Sequence, residues 1–193
     1  MNSYLKITSA LAISLYAASA FALTSDEVKT EKKSIEAAYK SAMAQCKTLS
    51  GNAKDICEKE AKGNENIAKA DLDAKEKPSD STHYKARLAR ADAAYEIAKE
   101  RCDDQSGNAK DVCKKDAQAT HVKAREDAKV KRTQEAPSNM TPQDKAANVS
   151  EARKDAAQAT RDAEYKAAKE RCDTLPAASK DACVNDAKTR FAQ

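Results

Sequence analysis

Six cysteines are the residues of this sequence best suited to chemistry, and they form three pairs with the same internal spacing. The pairs are Cys46 and Cys57, Cys102 and Cys113, and Cys172 and Cys183. Redox sites favour about two residues between cysteines and zinc sites about two to four, whereas each pair here encloses ten. The spacing therefore predicts a disulfide within each pair rather than a redox or metal site.

No other group of side chains predicts catalysis, a cofactor or a metal. The two histidines, His83 and His121, are expected to lie far apart along one hairpin and to be exposed. No serine or cysteine is paired with a plausible base, and no glycine-rich loop follows a strand. Carboxylates on alanine-rich helices face water, where little would displace their pKa values. We expect a protein that is not an enzyme.

The cysteine pairs belong to three copies of a longer motif. Each copy has a tyrosine seven residues before its first cysteine, and these are Tyr39, Tyr95 and Tyr165. Lys-Asp comes just before the second cysteine of every copy, two copies share Gly-Asn-Ala-Lys-Asp, and two share Ala-Lys-Glu-Arg-Cys-Asp. The sequence is therefore an internal triplication.

Each copy is predicted to be a helical hairpin closed by its disulfide. In the second copy, apolar residues recur at steps of three and four from Tyr84 to Cys102, which indicates one helical stripe. Alanines at similar steps follow the second cysteine, and small facing residues let two helices approach as closely as a disulfide requires. The tyrosines are expected to pack in this seam. The third copy has Gln158 and Arg161 in its upstream stripe, so we expect its first half to pack less firmly.

Turn and cap residues mark where the helices begin. Between the cysteines of the first two copies lies Ser-Gly-Asn, where glycine can adopt a left-handed conformation and asparagine can cap the next helix. Glu27 lies three residues after a threonine and Pro142 directly follows one, both typical of helix starts. The predicted helix caps are Thr24, Asn52, Asn108 and Thr141.

The amino-acid composition limits the thickness of the hydrophobic core and the kind of partner. Alanine supplies most of the 40% hydrophobic content, and there is no tryptophan. Since alanine buries little apolar surface, a thick core is not expected, whereas thin and elongated helical contacts are.

The 35 basic and 31 acidic residues are interleaved along the chain. A nucleic-acid-binding protein would concentrate its basic residues on one face, so no nucleic-acid partner is expected.

The first 22 residues have the features of a cleavable signal peptide. Lys6 precedes an apolar stretch from Ile7 to Ala20, and Ala20-Phe21-Ala22 fits the small residues required before the cleavage site. An uncleaved signal anchor is the alternative interpretation. No later apolar run is long enough to span a bilayer, so we expect export without membrane insertion after cleavage.

The predicted fold is all-α, with three tandem disulfide-stapled antiparallel helical hairpins in an elongated, coiled-coil-like arrangement. Its segments are a signal peptide at 1–22, hairpins at 23–75, 82–133 and 142–193, and linkers at 76–81 and 134–141. Pro78 and Pro137 mark the two linkers because proline interrupts helices.

The tyrosine, the shared segments around the cysteines and the signal peptide together resemble a family of small periplasmic repeat proteins of proteobacteria. Members are often labelled TolA-like or cell-envelope biogenesis proteins. The third copy departs from the family pattern at Leu175-Pro176-Ala177. The resemblance implies a periplasmic location and says little about activity.

These observations lead to the hypothesis of a non-enzymatic structural or interaction protein of the bacterial envelope. An envelope protein is the expected kind of partner, and its identity and the oligomeric state stay open. A holdase-like chaperone or stress protein is the alternative. Metal or thiol buffering through the cysteines is the weaker third hypothesis.

Overall fold

The computed structural model describes residues 23–137 and 139–193, so the predicted signal peptide lies outside the described residues. The described chain contains six α-helices and no strand. The helices are α1 (Ser25–Cys46), α2 (Gly51–Glu76), α3 (Asp80–Arg101), α4 (Gly107–Glu135), α5 (Pro142–Cys172) and α6 (Ala177–Phe191). The prediction of an all-α protein made of disulfide-stapled hairpins is confirmed.

Consecutive helices lie side by side, and each packs extensively only against its neighbours in sequence. Packing between copies, α2 on α3 and α4 on α5, is at least as extensive as packing within them. Only residues 77–79 connect α2 to α3, and residues 136–141 connect α4 to α5. The six helices therefore form a continuous row. In the described ranges, no helix is long and apolar enough to cross a bilayer.

Side-chain hydrogen bonds cap the first helix of each hairpin. Thr24 Oγ1 accepts a hydrogen bond from the Glu27 backbone N–H at 3.3 Å, and Glu27 Oε2 accepts one from the Thr24 N–H at 2.7 Å. Thr141 caps α5 by accepting from the Asp144 N–H at 3.2 Å. Ser79 forms a further capping box with Thr82 that the sequence analysis did not include.

The predicted caps Asn52 and Asn108 are wrong. The N-cap residues of α2 and α4 are Ser50 and Ser106, and the helices begin at the glycines that follow. Gly51 and Gly107 have φ angles of +57° and +55°, so each reverses the chain before the asparagine is reached. Both asparagines therefore lie within the first helical turn, where their side chains point to a neighbouring helix.

The buried surface between the helices is mostly alanine. The one cluster of bulky buried residues in the described part of the chain joins α1 to α2 and consists of Val28, Ile35 and Leu72. Elsewhere, the buried residues other than cysteines and Glu65 are small. They are Ala61, Gly63, Ala74, Ala86, Ala91, Ala93, Ala117, Ala119, Ala128, Ala156, Ala167 and Ala187.

The shortness of α6 explains the polar seam of the third copy. Arg161 lies eleven residues before Cys172, whereas α6 extends only eight residues beyond Cys183. Gln158 and Arg161 consequently have no part of α6 opposite them. They bond to each other, and Gln158 also donates to Asp162 at 2.6 Å. The polar residues mark the part of α5 that α6 does not cover.

Gly63 allows α2 to approach α3 closely. A Cβ atom added at Gly63 would lie 2.9 Å from the Ala93 Cβ and 3.8 Å from the Ile97 side chain. Ala93 cannot move aside without moving its helix, because its Cβ is attached to the backbone. Gly63 is therefore required by the packing of two helices rather than by a turn.

We expect Gly63→Ala to lower the free energy of unfolding by about 1 kcal/mol, because overpacking outweighs the better helix propensity of alanine. Thermal unfolding followed by circular dichroism measures this. Adding Ala93→Gly to the same chain should recover most of the loss by reopening the contact. A Gly63→Ala chain that unfolds at a higher temperature than the parent would contradict this account.

Candidate functional site

The three disulfides close the turns between α1 and α2, α3 and α4, and α5 and α6. Their Cα–Cα distances are 5.4, 5.6 and 5.7 Å, within the usual range for a disulfide. The first cysteine of each pair is at most 1% exposed, and its partner is half-buried. All six cysteines are bonded within their own copy, as predicted.

Ion pairs close the same turns in the second and third copies. Asp103 accepts hydrogen bonds from Lys114 at 2.8 Å and Lys110 at 2.9 Å. These bonds lower the pKa of Asp103 from 3.8 to about 2. In the third copy, the equivalent Asp173 lies 2.8 Å from Lys180 and raises the pKa of that lysine.

The two asparagines join each hairpin to the next one. Asn52 Nδ2 donates to the backbone carbonyl of Glu100 at 3.0 Å, which bonds α2 to α3. Asn108 Nδ2 donates to the carbonyl of Glu170 at 3.4 Å, which bonds α4 to α5. Each carbonyl lies two residues before the first cysteine of the next copy. Near a helix end these carbonyls accept only short-range backbone bonds, from Cys102 and Asp173, and each asparagine adds a second bond.

An arginine and an acid repeat beside each asparagine. Arg101 bonds to Glu60 at 2.7 Å, and Arg171 bonds to Asp116. Each arginine directly precedes the first cysteine of its copy, and each acid lies three residues after the second cysteine of the preceding copy. We call the asparagine, arginine and acid at each of these two places the intercopy triad.

The first and third copies each lack one of the three residue types that form the intercopy triad. Gln45 replaces arginine in the first copy, and Ala178 replaces asparagine in the third. Asp186 keeps the acid.

Tyrosines lie half-buried beside lysines in every hairpin. A lysine ammonium lies 5.3 to 5.5 Å from the ring centroid of Tyr39, Tyr95 and Tyr165. In the first copy this is Lys62 of α2, which also bonds to the buried Glu65 at 2.8 Å. The bonds from Lys62 and Lys69 lower the pKa of Glu65. The repeated tyrosines are seam residues whose edges reach charged groups.

The prediction of an exposed histidine is wrong for His121, whose side chain is 17% exposed. Its ring stacks on Tyr95 with centroids 4.4 Å apart, and its Nε2 lies 2.6 Å from Asp92 Oδ1. Arg125 donates to the same oxygen at 3.0 Å. Tyr95 precedes its cysteine by seven residues and His121 follows the paired one by eight, so counting outward from the disulfide could have found the contact. His83 is exposed, as expected.

The carboxylates with a clearly displaced pKa are displaced downward. They are Glu27, Glu36, Glu65, Glu96, Asp103 and Glu135. For Glu96, burial raises the pKa, but hydrogen bonds from Lys99 and Lys59 outweigh it. A general acid at neutral pH needs the opposite displacement. Among the described residues, no group of three or more metal-ligating side chains converges.

No family model, curated protein or solved structure matches this chain.

Removing the intercopy hydrogen bond should weaken the row. We expect Asn52→Ala to lower the free energy of unfolding by about 1 kcal/mol, because the Glu100 carbonyl loses a partly buried partner. Urea unfolding measures the change. Asn66→Ala is the matched control, since Asn66 is an exposed residue of the same helix. Equal effects of the two substitutions would count against the intercopy role.

Lowering the pH should destabilise the second turn over a defined pH range. Because the folded-state pKa of Asp103 is about 2 and the ordinary value is 3.8, its stabilising effect is complete above 3.8 and is lost as the pH falls toward 2. We expect Lys114→Gln to raise this pKa toward 3.8, as measured by carboxyl NMR. Lys115→Gln should leave it unchanged, and an unmoved pKa in Lys114→Gln would remove Lys114 as its cause.

Proposed function

We propose that this chain is a non-enzymatic periplasmic protein of the bacterial envelope that presents a rigid row of helices to a protein partner. The observation that carries the proposal is the row itself, in which helices pack extensively only on their sequence neighbours. A closed bundle buries one side of every helix in a common core. A row leaves two broad faces open for contact.

Rigidity supports the presentation of a surface. Each turn is held by a disulfide, and each hairpin is bonded to the next through the intercopy triad. A surface that is ordered before binding loses less conformational entropy on association. The disulfides also agree with export to an oxidising compartment, and the resemblance to periplasmic repeat proteins supports the location.

Two of the turns offer apolar side chains. Leu49 is 44% exposed in the first turn, and Leu175 is 39% exposed at the equivalent position of the third turn. The second turn has Gln105 there. Apolar tips beside charged faces resemble the mixed composition of non-obligate protein interfaces.

The alternative of a holdase-like chaperone has weaker support. A holdase needs apolar surface to retain unfolded clients, and the large hydrophobic residues that are exposed in the described ranges are only Leu49, Met140 and Leu175. Thiol buffering would require free thiols, whereas all six cysteines are in disulfides. Neither alternative is favoured by a specific site.

Site-specific photocrosslinking in the envelope of the producing bacterium tests the proposal. We expect a crosslinker at Leu49 or Leu175 to give a discrete protein adduct, and the same crosslinker at Gln105 to give less of it. A deletion strain should have an envelope defect. The absence of adducts at all three positions, with no defect in the deletion strain, would refute the proposal. Suppression of client aggregation at equimolar ratio would favour the holdase instead.

A further inference from the structure

A cleft lies at the edge of the row opposite the disulfides, where the long connection joins α4 to α5. Its volume is about 480 Å³, within the range of small-molecule sites. The end of α4 and the start of α5 form its sides, and Tyr84 of α3 contributes to its lining. The connection at 136–141 is longer than the one at 77–79, which leaves room between the helices.

Cations from both sides line this cleft. Arg132 lies over the Tyr84 ring, with its Cζ 5.0 Å from the centroid. Lys145 Nζ donates to the Ala136 carbonyl at 3.1 Å. Within the described ranges, neither Arg132 nor Lys145 has a carboxylate within 4 Å, whereas Lys129 is bonded to Glu126 at 2.5 Å. Two cations without an acidic partner therefore meet in one cleft.

The rest of the lining is largely apolar. Met140 is 47% exposed in the connection, and its sulfur accepts a hydrogen bond from Asn148 Nδ2 at 3.1 Å. The stems of the basic residues and the methyl group of Ala136 add further apolar surface. Long basic side chains place their stems along apolar surface while their charged ends remain in water. A flexible thioether adapts to apolar ligands of varied shape.

We propose that this cleft binds a single-chain amphiphile with an anionic headgroup, either a carboxylate or a phosphate. The headgroup accepts hydrogen bonds from Arg132 and Lys145, which have charge to neutralise. The hydrocarbon chain lies along Met140, Ala136 and the lysine stems. This site is separate from the partner surface proposed above, so either proposal can fail alone.

Methionine methyl signals provide a direct test of amphiphile binding in a chain of residues 23–193. This segment has two methionines, Met140 in the cleft and Met43 near the disulfide edge of the row, so methyl-labelled methionine gives one probe and one internal control. We expect dodecanoate and monododecyl phosphate to shift the Met140 methyl signal saturably and to leave the Met43 signal in place. Comparison of the two affinities identifies the preferred headgroup. Dodecyltrimethylammonium and inorganic phosphate should have no effect.

Substitutions test the cations. Arg132→Gln and Lys145→Gln should each weaken dodecanoate binding about tenfold, because each removes a charge-assisted hydrogen bond. Lys154→Gln is the matched control, since it removes the same charge from an exposed site of α5 outside the cleft, and binding should stay unchanged. Circular dichroism establishes that each variant folds.

Several outcomes would overturn the proposal. One is a Met140 methyl that does not move with either anionic amphiphile, and another is an equal shift with the cationic amphiphile. Movement of both methionine signals would indicate nonspecific association. Saturation by an acidic peptide but not by the amphiphiles would assign the cleft to a protein segment. Full affinity in both glutamine variants would exclude the proposed role of the cations.

Discussion

Contact between alanine side chains holds these helices together, and its weakness determines what else the molecule needs. At about 25 cal/mol per Å² of buried apolar surface, an alanine seam stabilises far less than a leucine seam of the same length. Close approach of the helices recovers part of this missing stabilisation, because more backbone and Cβ atoms come into contact. Gly63 against Ala93 is the extreme case, where even one added carbon does not fit. Disulfides at one end of every hairpin then restrict the unfolded chain, and this is worth about 3 kcal/mol for a loop of this length in the chain-entropy account.

Weak apolar contact also leaves alignment between hairpins underdetermined, since alanine surfaces are nearly uniform and can slide past one another. Directional polar bonds resolve this. The intercopy triad places a side-chain amide on a particular carbonyl and an arginine on a particular acid, twice, at equivalent positions. Arg90 adds a bond to both oxygens of Asp71 at 2.7 Å further along α2 and α3. In this row, polar groups set the register that a bulky core sets in other helical proteins.

Features within one helix or one turn could be predicted from the sequence, and features between helices largely could not. The helices, the triplication and the disulfide pairing follow from spacing along the chain. The role of Asn52 did not, because it depends on which backbone carbonyl of the next hairpin lies opposite. The contact of His121 with Tyr95 lies within one hairpin, and its spacing from the disulfide could have indicated it. Lys59 illustrates the limit: Asp55 lies four residues before it on the same helix, yet Lys59 bonds to Glu96 of α3 at 3.3 Å. Local propensity cannot rank a partner in the same helix above one across the seam, since both contacts are worth little in water.

The open form of the row follows from the same composition. A second layer would require a second apolar stripe on each helix, and the sides of these helices away from the seams are instead rich in lysine, arginine, glutamate and aspartate. Burying such charges costs more than their pairing returns unless the geometry is closely matched. A further layer is therefore unfavourable, and both faces stay in water. Any macromolecule that contacts them must do so through exposed charges and the few apolar side chains in the turns. Such contacts give specificity and fast association more readily than high affinity.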